Sequence, residues 1–132
     1  MTRVVLDSSA LLALLFEEPG ADAVASVLES ASMSAANVAE VAAKYADRGL
    51  STARLPRQLE ALGAVIEPVT AQDADLQATV RRTDADAHGG RHVLSLGDRL
   101  CLALALRLGV PALTADRAWA NLDLPIEVEQ LR

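Results

Sequence analysis

Short apolar runs, each followed by a stretch with helical spacing, set the strongest constraint on how this chain can fold. Val4-Val5-Leu6 is a β-branched run that stops at Asp7, Met33 marks a brief second strand, and Ala64 to Val69 reads as a third. Val110 to Thr114 and Ile126 to Val128 complete the series. Between them, Leu11, Leu12, Leu14, Leu15 and Phe16 predict a short buried helix ended by Pro19-Gly20. Ala21 to Glu29, Asn37 to Tyr45 and Ser51 to Leu62 each repeat apolar residues at three- and four-residue intervals. Thr70 with Asp73 has capping-box spacing and opens a helix through about Arg82, leaving Thr83 to His92, with Gly89-Gly90, as the longest loop. Ser95 to Leu108 is the strongest helix, because every residue from Leu100 to Leu106 is apolar and only burial on nearly all sides accommodates that. Gly109 stops it.

Strands that alternate with helices imply an α/β fold, because parallel neighbours need crossover connections. The expected architecture is a three-layer α/β/α sandwich, Rossmann-like, around a central and mostly parallel sheet. A chain of 132 residues that is 52% apolar supports one domain spanning 1–132 with a sizeable core. Phe16, Tyr45 and Trp119 are the only aromatic residues, so Ala, Leu and Val must build that core. In such sheets chemistry is sought beyond the carboxyl ends of the strands, near the switch in strand order.

Composition removes several function classes. The net charge of −6 excludes nucleic-acid binding through broad positive charge. Residues 1–47 hold two bases and seven acids, whereas residues 48–107 hold eight arginines and seven acids, so any contact with phosphate belongs to the middle of the chain. Arg48, Arg54, Arg57, Arg81, Arg82 and Arg91 are the residues available there, each equally readable as part of a solvated helix face. Cys101 is the lone cysteine, in an apolar run, which reads as a buried inert thiol and excludes an internal disulfide or a cysteine zinc site. His88 and His92 flank the glycine-rich loop and read as surface residues, with metal binding as the alternative. No signal peptide or membrane-length apolar stretch is present, and the expectation is a cytoplasmic protein. Gly-x-Gly-x-x-Gly and phosphate-loop patterns are absent, which removes dinucleotide and nucleotide-triphosphate enzymes.

The acids carry the remaining signal. Asp7 follows the first strand and Asp116 follows the fourth, so both belong to one rim of the sheet. Asp98 stands at the start of the most buried helix, and Glu40 lies one turn after Asn37. Gathering such acids is unfavourable unless protons or a cation compensate, and ligands that are all oxygen suit Mg²⁺ or Mn²⁺ better than zinc. A carboxylate cage of this kind serves phosphodiester hydrolysis through metal-activated water. Each acid also has a bland role. Asp7, Asp98 and Asp116 all stand where a helix cap would, and a helical glutamate is ordinarily solvated.

The local sequences go further. Val4-Val-Leu-Asp7-Ser8-Ser9-Ala10, Asn37-Val-Ala-Glu40, Leu94-Ser-Leu-Gly-Asp98-Arg99 and Leu113-Thr114-Ala-Asp116-Arg-Ala-Trp119 occur in the order and spacing of the PIN-domain family. Within it, the chain resembles the VapC toxins of type II toxin–antitoxin modules over essentially its whole length. The resemblance implies a Mg²⁺-dependent endoribonuclease in which Asp7, Glu40, Asp98 and Asp116 form the acidic metal-binding quartet. It implies that Ser8, Asn37 and Thr114 orient carboxylates or water, that Trp119 packs beside the site, and that Arg99 and Arg117 stand near phosphate or in structural pairs. It also implies a homodimer neutralised by a cognate VapB-type antitoxin. Two other readings stand beside it: a PIN-like binding module without turnover, and a receiver-type phosphotransfer domain. The second lacks adjacent N-terminal acids, and its required lysine has only Lys44, within a helix, to draw on.

Overall fold

The computed structural model describes residues 3–132; Met1 and Thr2 lie outside the described residues. Five strands form one wholly parallel sheet in the order β3-β2-β1-β4-β5. They are β1 (Val4–Leu6), β2 (Ala31–Ser34), β3 (Val65–Glu67), β4 (Ala112–Thr114) and β5 (Val128–Gln130). Helices α1 (Ser8–Leu15) and α2 (Ala21–Val27) connect β1 to β2, and α3 (Ala35–Asp47) and α4 (Leu55–Ala61) connect β2 to β3. Helices α5 (Ala71–Ala87) and α6 (Leu96–Leu108) then carry the chain across to β4.

The side chains of β1 show how the layers arise. Val4 and Leu6 enter one apolar cluster with Leu11, Val24, Val41, Leu55 and Leu59, contributed by α1 to α4. Val5, between them, enters a second cluster with Val80, Leu102, Leu104 and Trp119. Alternation along the strand therefore feeds two cores on opposite faces, and the α/β/α sandwich is the result. Cys101 to Ala105 are all buried, in accord with the apolar run that begins at Leu100. The chain builds outward from β1 through β2 to β3 and then jumps to β4 on the other side of β1. The switch in strand order thus falls at β1, with Asp7 at its carboxyl end.

Three elements differ from the sequence expectation. α5 continues through Ala87, five residues past Arg82, because Asp84 is fully buried and anchors the loop on its C-terminal side. Its carboxylate accepts hydrogen bonds from Val93 N (3.2 Å), Leu94 N (3.0 Å) and the ring of His88 (2.9 Å). α4 begins only at Leu55, with Pro56 in its first turn, where the missing N–H costs nothing. The last strand lies at Val128–Gln130, two residues later than its apolar pattern suggests, because β4 sets the register, pairing Ala112 with Val128 and Thr114 with Gln130. The β4–β5 crossover contains a 3₁₀ turn, Arg117–Trp119, in place of an α-helix.

Asp73 fastens α5 to α6. It completes the capping box with Thr70, and it also accepts two hydrogen bonds from Arg107, at 2.6 and 3.2 Å, in the last turn of α6. Burial alone would raise its pKa, but the Arg107 bond and charge and the Thr70 bonds outweigh it and hold the carboxyl below the usual aspartate range. A group with a depressed folded pKa stabilises the protein above its unfolded pKa and loses that contribution as pH falls through the folded value. Asp73→Ala should therefore lower the free energy of unfolding at pH 7 by about 3 kcal/mol, since it removes a cap and leaves Arg107 unpaired. In denaturant titrations the deficit should shrink below pH ~4.

Candidate metal centre

Asp7 is 2% exposed, at the point where β1 gives way to α1. Its side chain does not cap that helix. The carboxylate instead accepts hydrogen bonds from Ser9 Oγ (2.7 Å) and Thr114 Oγ1 (2.9 Å), and Ser8 Oγ lies 3.4 Å from its other oxygen. Burial is the largest influence on it and raises its pKa against those hydroxyls, with the charge of Glu40 adding to the rise.

Glu40 reaches the same place from α3. Its Oε1 accepts from Asn37 Nδ2 (2.8 Å) and from Ser8 Oγ (3.1 Å), so this helical glutamate is half-buried and not solvated. Asn37 is completely buried and donates a second time, to the carbonyl of Gly97 (3.0 Å), while its own Oδ1 has no partner. A buried amide oxygen without a donor is uncommon.

Asp98 fills its capping role and also feels the charge of the other acids. One oxygen accepts from Ser95 N (2.9 Å) and closes the capping box of α6. Burial nevertheless pushes the carboxyl up to about 6, and the charges of Asp7 and Glu40 contribute. The charge of the same three acids reaches the thiol of Cys101, which burial first and their charge second drive far above its ordinary range. Cys101 is therefore an inert buried thiol of the second core, as its setting predicts.

Asp116 lies on the same rim but faces differently. It is exposed, and its Oδ1 accepts from Ala118 N (2.9 Å), capping the 3₁₀ turn. Thr114 links it to the buried acid, since Asp116 N donates to Thr114 Oγ1 (3.0 Å), which in turn donates to Asp7. The structure thus brings Asp7, Glu40 and Asp98 into mutual influence and attaches Asp116 through its backbone. Among the described residues, no three His, Cys, Asp or Glu side chains stand close enough to close on an ion as they are now placed. The donor set still fits a hard divalent cation: it is all oxygen, it repels itself, and it leaves Asn37 Oδ1 unsatisfied.

Sequence reasoning assigns no role to Ser9 or Gly97. Ser9 Oγ accepts from Ala115 N (2.9 Å) while donating to Asp7, so it ties the buried acid to the segment carrying Asp116. The signal for it is its place within the Asp7-Ser8-Ser9 run. Arg99 is engaged elsewhere, donating to Gln77 (2.9 Å) and to the Leu94 carbonyl (3.0 Å), whereas Arg117 is exposed. Arg48 lies over the ring of Phe16, 3.9 Å from its centre, and Arg54, Arg57, Arg81, Arg82 and Arg91 are exposed. His88 is held against Asp84 and His92 is exposed. Trp119 is a fully buried member of the second core.

Comparison with known proteins decides the family. The PIN domain profile matches residues 4–124. The chain belongs to the PIN-domain family. Within that family it is similar to Ribonuclease VapC42 of Mycobacterium tuberculosis, with 30% identity over 126 residues that cover 92% of this chain and 96% of that protein, which puts it among the VapC ribonucleases. The PIN fold is equally evident in solved structures. FitAcB from Neisseria gonorrhoeae superposes with a TM-score of 0.71 at 22% identity over 97% of each chain. The DNA-bound VapBC complex from Salmonella typhimurium gives 0.68 at 14% identity over the whole of both chains.

The raised carboxyls have a sign that can be checked. A carboxyl whose folded pKa exceeds its unfolded one binds more protons in the native state, so stability falls as pH rises between the two values. For Asp98 that window runs from the usual aspartate value of 3.8 to about 6. Asp98→Asn keeps an oxygen for the capping box and removes the charge. In metal-free buffer at pH 7.5 it should stabilise the PIN domain by on the order of 1 kcal/mol after solvent screening, with the gain vanishing toward pH 4 in denaturant titrations.

Proposed function

We propose that this PIN domain is a divalent-metal-dependent endoribonuclease, the toxin component of a type II toxin–antitoxin module. Asp7, Glu40, Asp98 and Asp116 hold Mg²⁺, for which Mn²⁺ substitutes. The observation that carries the reading is Asp7: a carboxylate 2% exposed, at the strand-order switch, pressed by the charge of Glu40, itself raising the pKa of Asp98, and offered no basic partner in its hydrogen bonds. Proteins do not ordinarily keep such an arrangement for stability, because unpaired buried charge is costly. Membership of the VapC ribonucleases supplies the chemistry that repays it.

Each residue then has a task. Asp7 is the fixed anchor, its carboxylate oriented by the hydroxyls of Ser9 and Thr114. Glu40 is aimed by Ser8 and Asn37. Asp98, with a pKa of about 6, gives up its proton readily near neutral pH and accepts a cation in its place. Asp116, outermost of the four, can leave its cap on Ala118 N for little cost because it is exposed. Bound at these acids, Mg²⁺ supplies water activation and offsets the charge that develops on the phosphodiester. Arg117 and the exposed arginines of the middle segment meet the RNA backbone, so binding is modest and strongly salt-dependent for a chain of net charge −6.

The same comparisons point to the partner. Solved structures similar to this chain include toxin–antitoxin complexes from Salmonella typhimurium and Klebsiella pneumoniae, which supports a VapB-type antitoxin here. A homodimer, with RNA entering across both copies, completes the reading. Among the described residues no helix is long and apolar enough to cross a membrane.

The test is cleavage of RNA by purified protein in chelator and after Mg²⁺ is restored. The parent should cut only with the metal. Asp7→Asn should fold normally yet lose more than the ~100-fold typical of removing a ligand's outer partner. Equal rates in chelator, or from Asp7→Asn, would remove the metal mechanism. Metal binding without cleavage of any RNA offered would favour the binding module.

A further inference from the structure

Gly97 occupies the second position of α6, between the N-cap Ser95 and Asp98, a place where glycine weakens a helix relative to alanine. Its backbone is not in the left-handed region, so no turn requires it. What it does provide is space. A Cβ at this position would collide with the carboxylate of Glu40, lying 2.5 Å from its Cδ and 2.7 Å from Oε1. Its carbonyl is also the second acceptor of the Asn37 amide that grips Glu40 Oε1. One residue of α6 therefore clears the seat for a glutamate of α3 and anchors the amide that holds it there.

We propose that Gly97 is a positioning residue: its missing side chain sets where the Glu40 carboxylate stands against α6, and hence how well the acids Asp7, Glu40 and Asp98 take a divalent cation. The proposal rests on the metal-site reading of the same acids, and it assigns a role to a residue outside the acidic set. The clash falls on the far end of a flexible side chain, so a methyl group at this position displaces the carboxylate and leaves the fold intact. Backbone packing does not have to move. The Asn37 amide is then left with the Gly97 carbonyl alone, and Ser8 loses its acceptor on Glu40.

The experiment is a double-mutant cycle read by Mn²⁺ binding, measured from the loss of the free-ion electron paramagnetic resonance signal. Four proteins are titrated: the parent, Gly97→Ala, Glu40→Ala and the double variant. Gly97→Ala should be as thermally stable as the parent in metal-free buffer, or more so, and should bind Mn²⁺ about 10-fold more weakly, the lower end of what loss of an outer partner costs. In the Glu40→Ala background the same substitution should change nothing, because the carboxylate it displaces is gone. An equal loss in both backgrounds would show that the methyl acts on the helix and not through Glu40, and would overturn the proposal. So would parent-like affinity in Gly97→Ala, provided that Glu40→Ala weakens binding. If the parent binds no Mn²⁺, or Glu40→Ala binds as the parent does, the metal-site reading itself fails first.

Discussion

The carboxylate of Asp7 is the constraint around which the rest of this structure is arranged. It stands at the end of the central strand, almost fully enclosed, where an ionised group is unfavourable without a compensating charge. The protein answers with hydroxyls and not with a base: Ser9 and Thr114 donate to it, and both are also tied to the backbone beyond β4. These bonds fix the orientation of the acid but do not neutralise it. Its pKa stays raised, and the neighbouring Asp98 is pushed up to about 6 partly by its charge. Burial first, and mutual repulsion second, leave these acids without a compensating charge, which is the basis for the proposal that they take a cation.

The fold explains how acids so distant in sequence meet. A parallel sheet aligns the carboxyl ends of its strands, and the reversal of strand order at β1 is where the connections that leave β1, β2 and β4 come side by side. Asp7 leaves β1, Asn37 and Glu40 lie in the helix after β2, and Thr114 and Asp116 lie at and after the end of β4. The N-terminus of α6 brings Asp98 from the opposite layer, and the contact between α3 and α6 closes the ring through Asn37 and Gly97. On the proposed reading the chain's acidity is compatible with a phosphodiester substrate, since part of the negative charge belongs to the site that a cation would fill.

Much of this order is legible in the sequence. Short strands separated by periodic helices leave few alternatives to a parallel sandwich, and the run from Leu100 to Leu106 identifies the helix that becomes most buried. The end of α5 and the position of β5 share one cause, which is that tertiary contacts decide them. Asp84 looks like a loop residue by type, and only its bonds to Val93 N and Leu94 N show why the helix continues past it. β5 takes its register from β4 and not from its own apolar pattern. At the site, residue types and spacing point to the acids, but not to their differing surroundings. Asp98 serves as cap and charged neighbour together, while Asp116 spends its carboxylate on a 3₁₀ turn. Gly97 is silent in sequence because its contribution is the absence of atoms, visible only once Glu40 is seen beside it.

The most direct measurement of whether this pocket exists to hold a cation is anomalous diffraction from crystals grown with Mn²⁺. A strong peak is expected among the carboxylates of Asp7, Glu40, Asp98 and Asp116. Full-length protein at saturating Mn²⁺ with no peak there, or with its only peaks at unrelated surface acids, would contradict a cation-binding role for these acids.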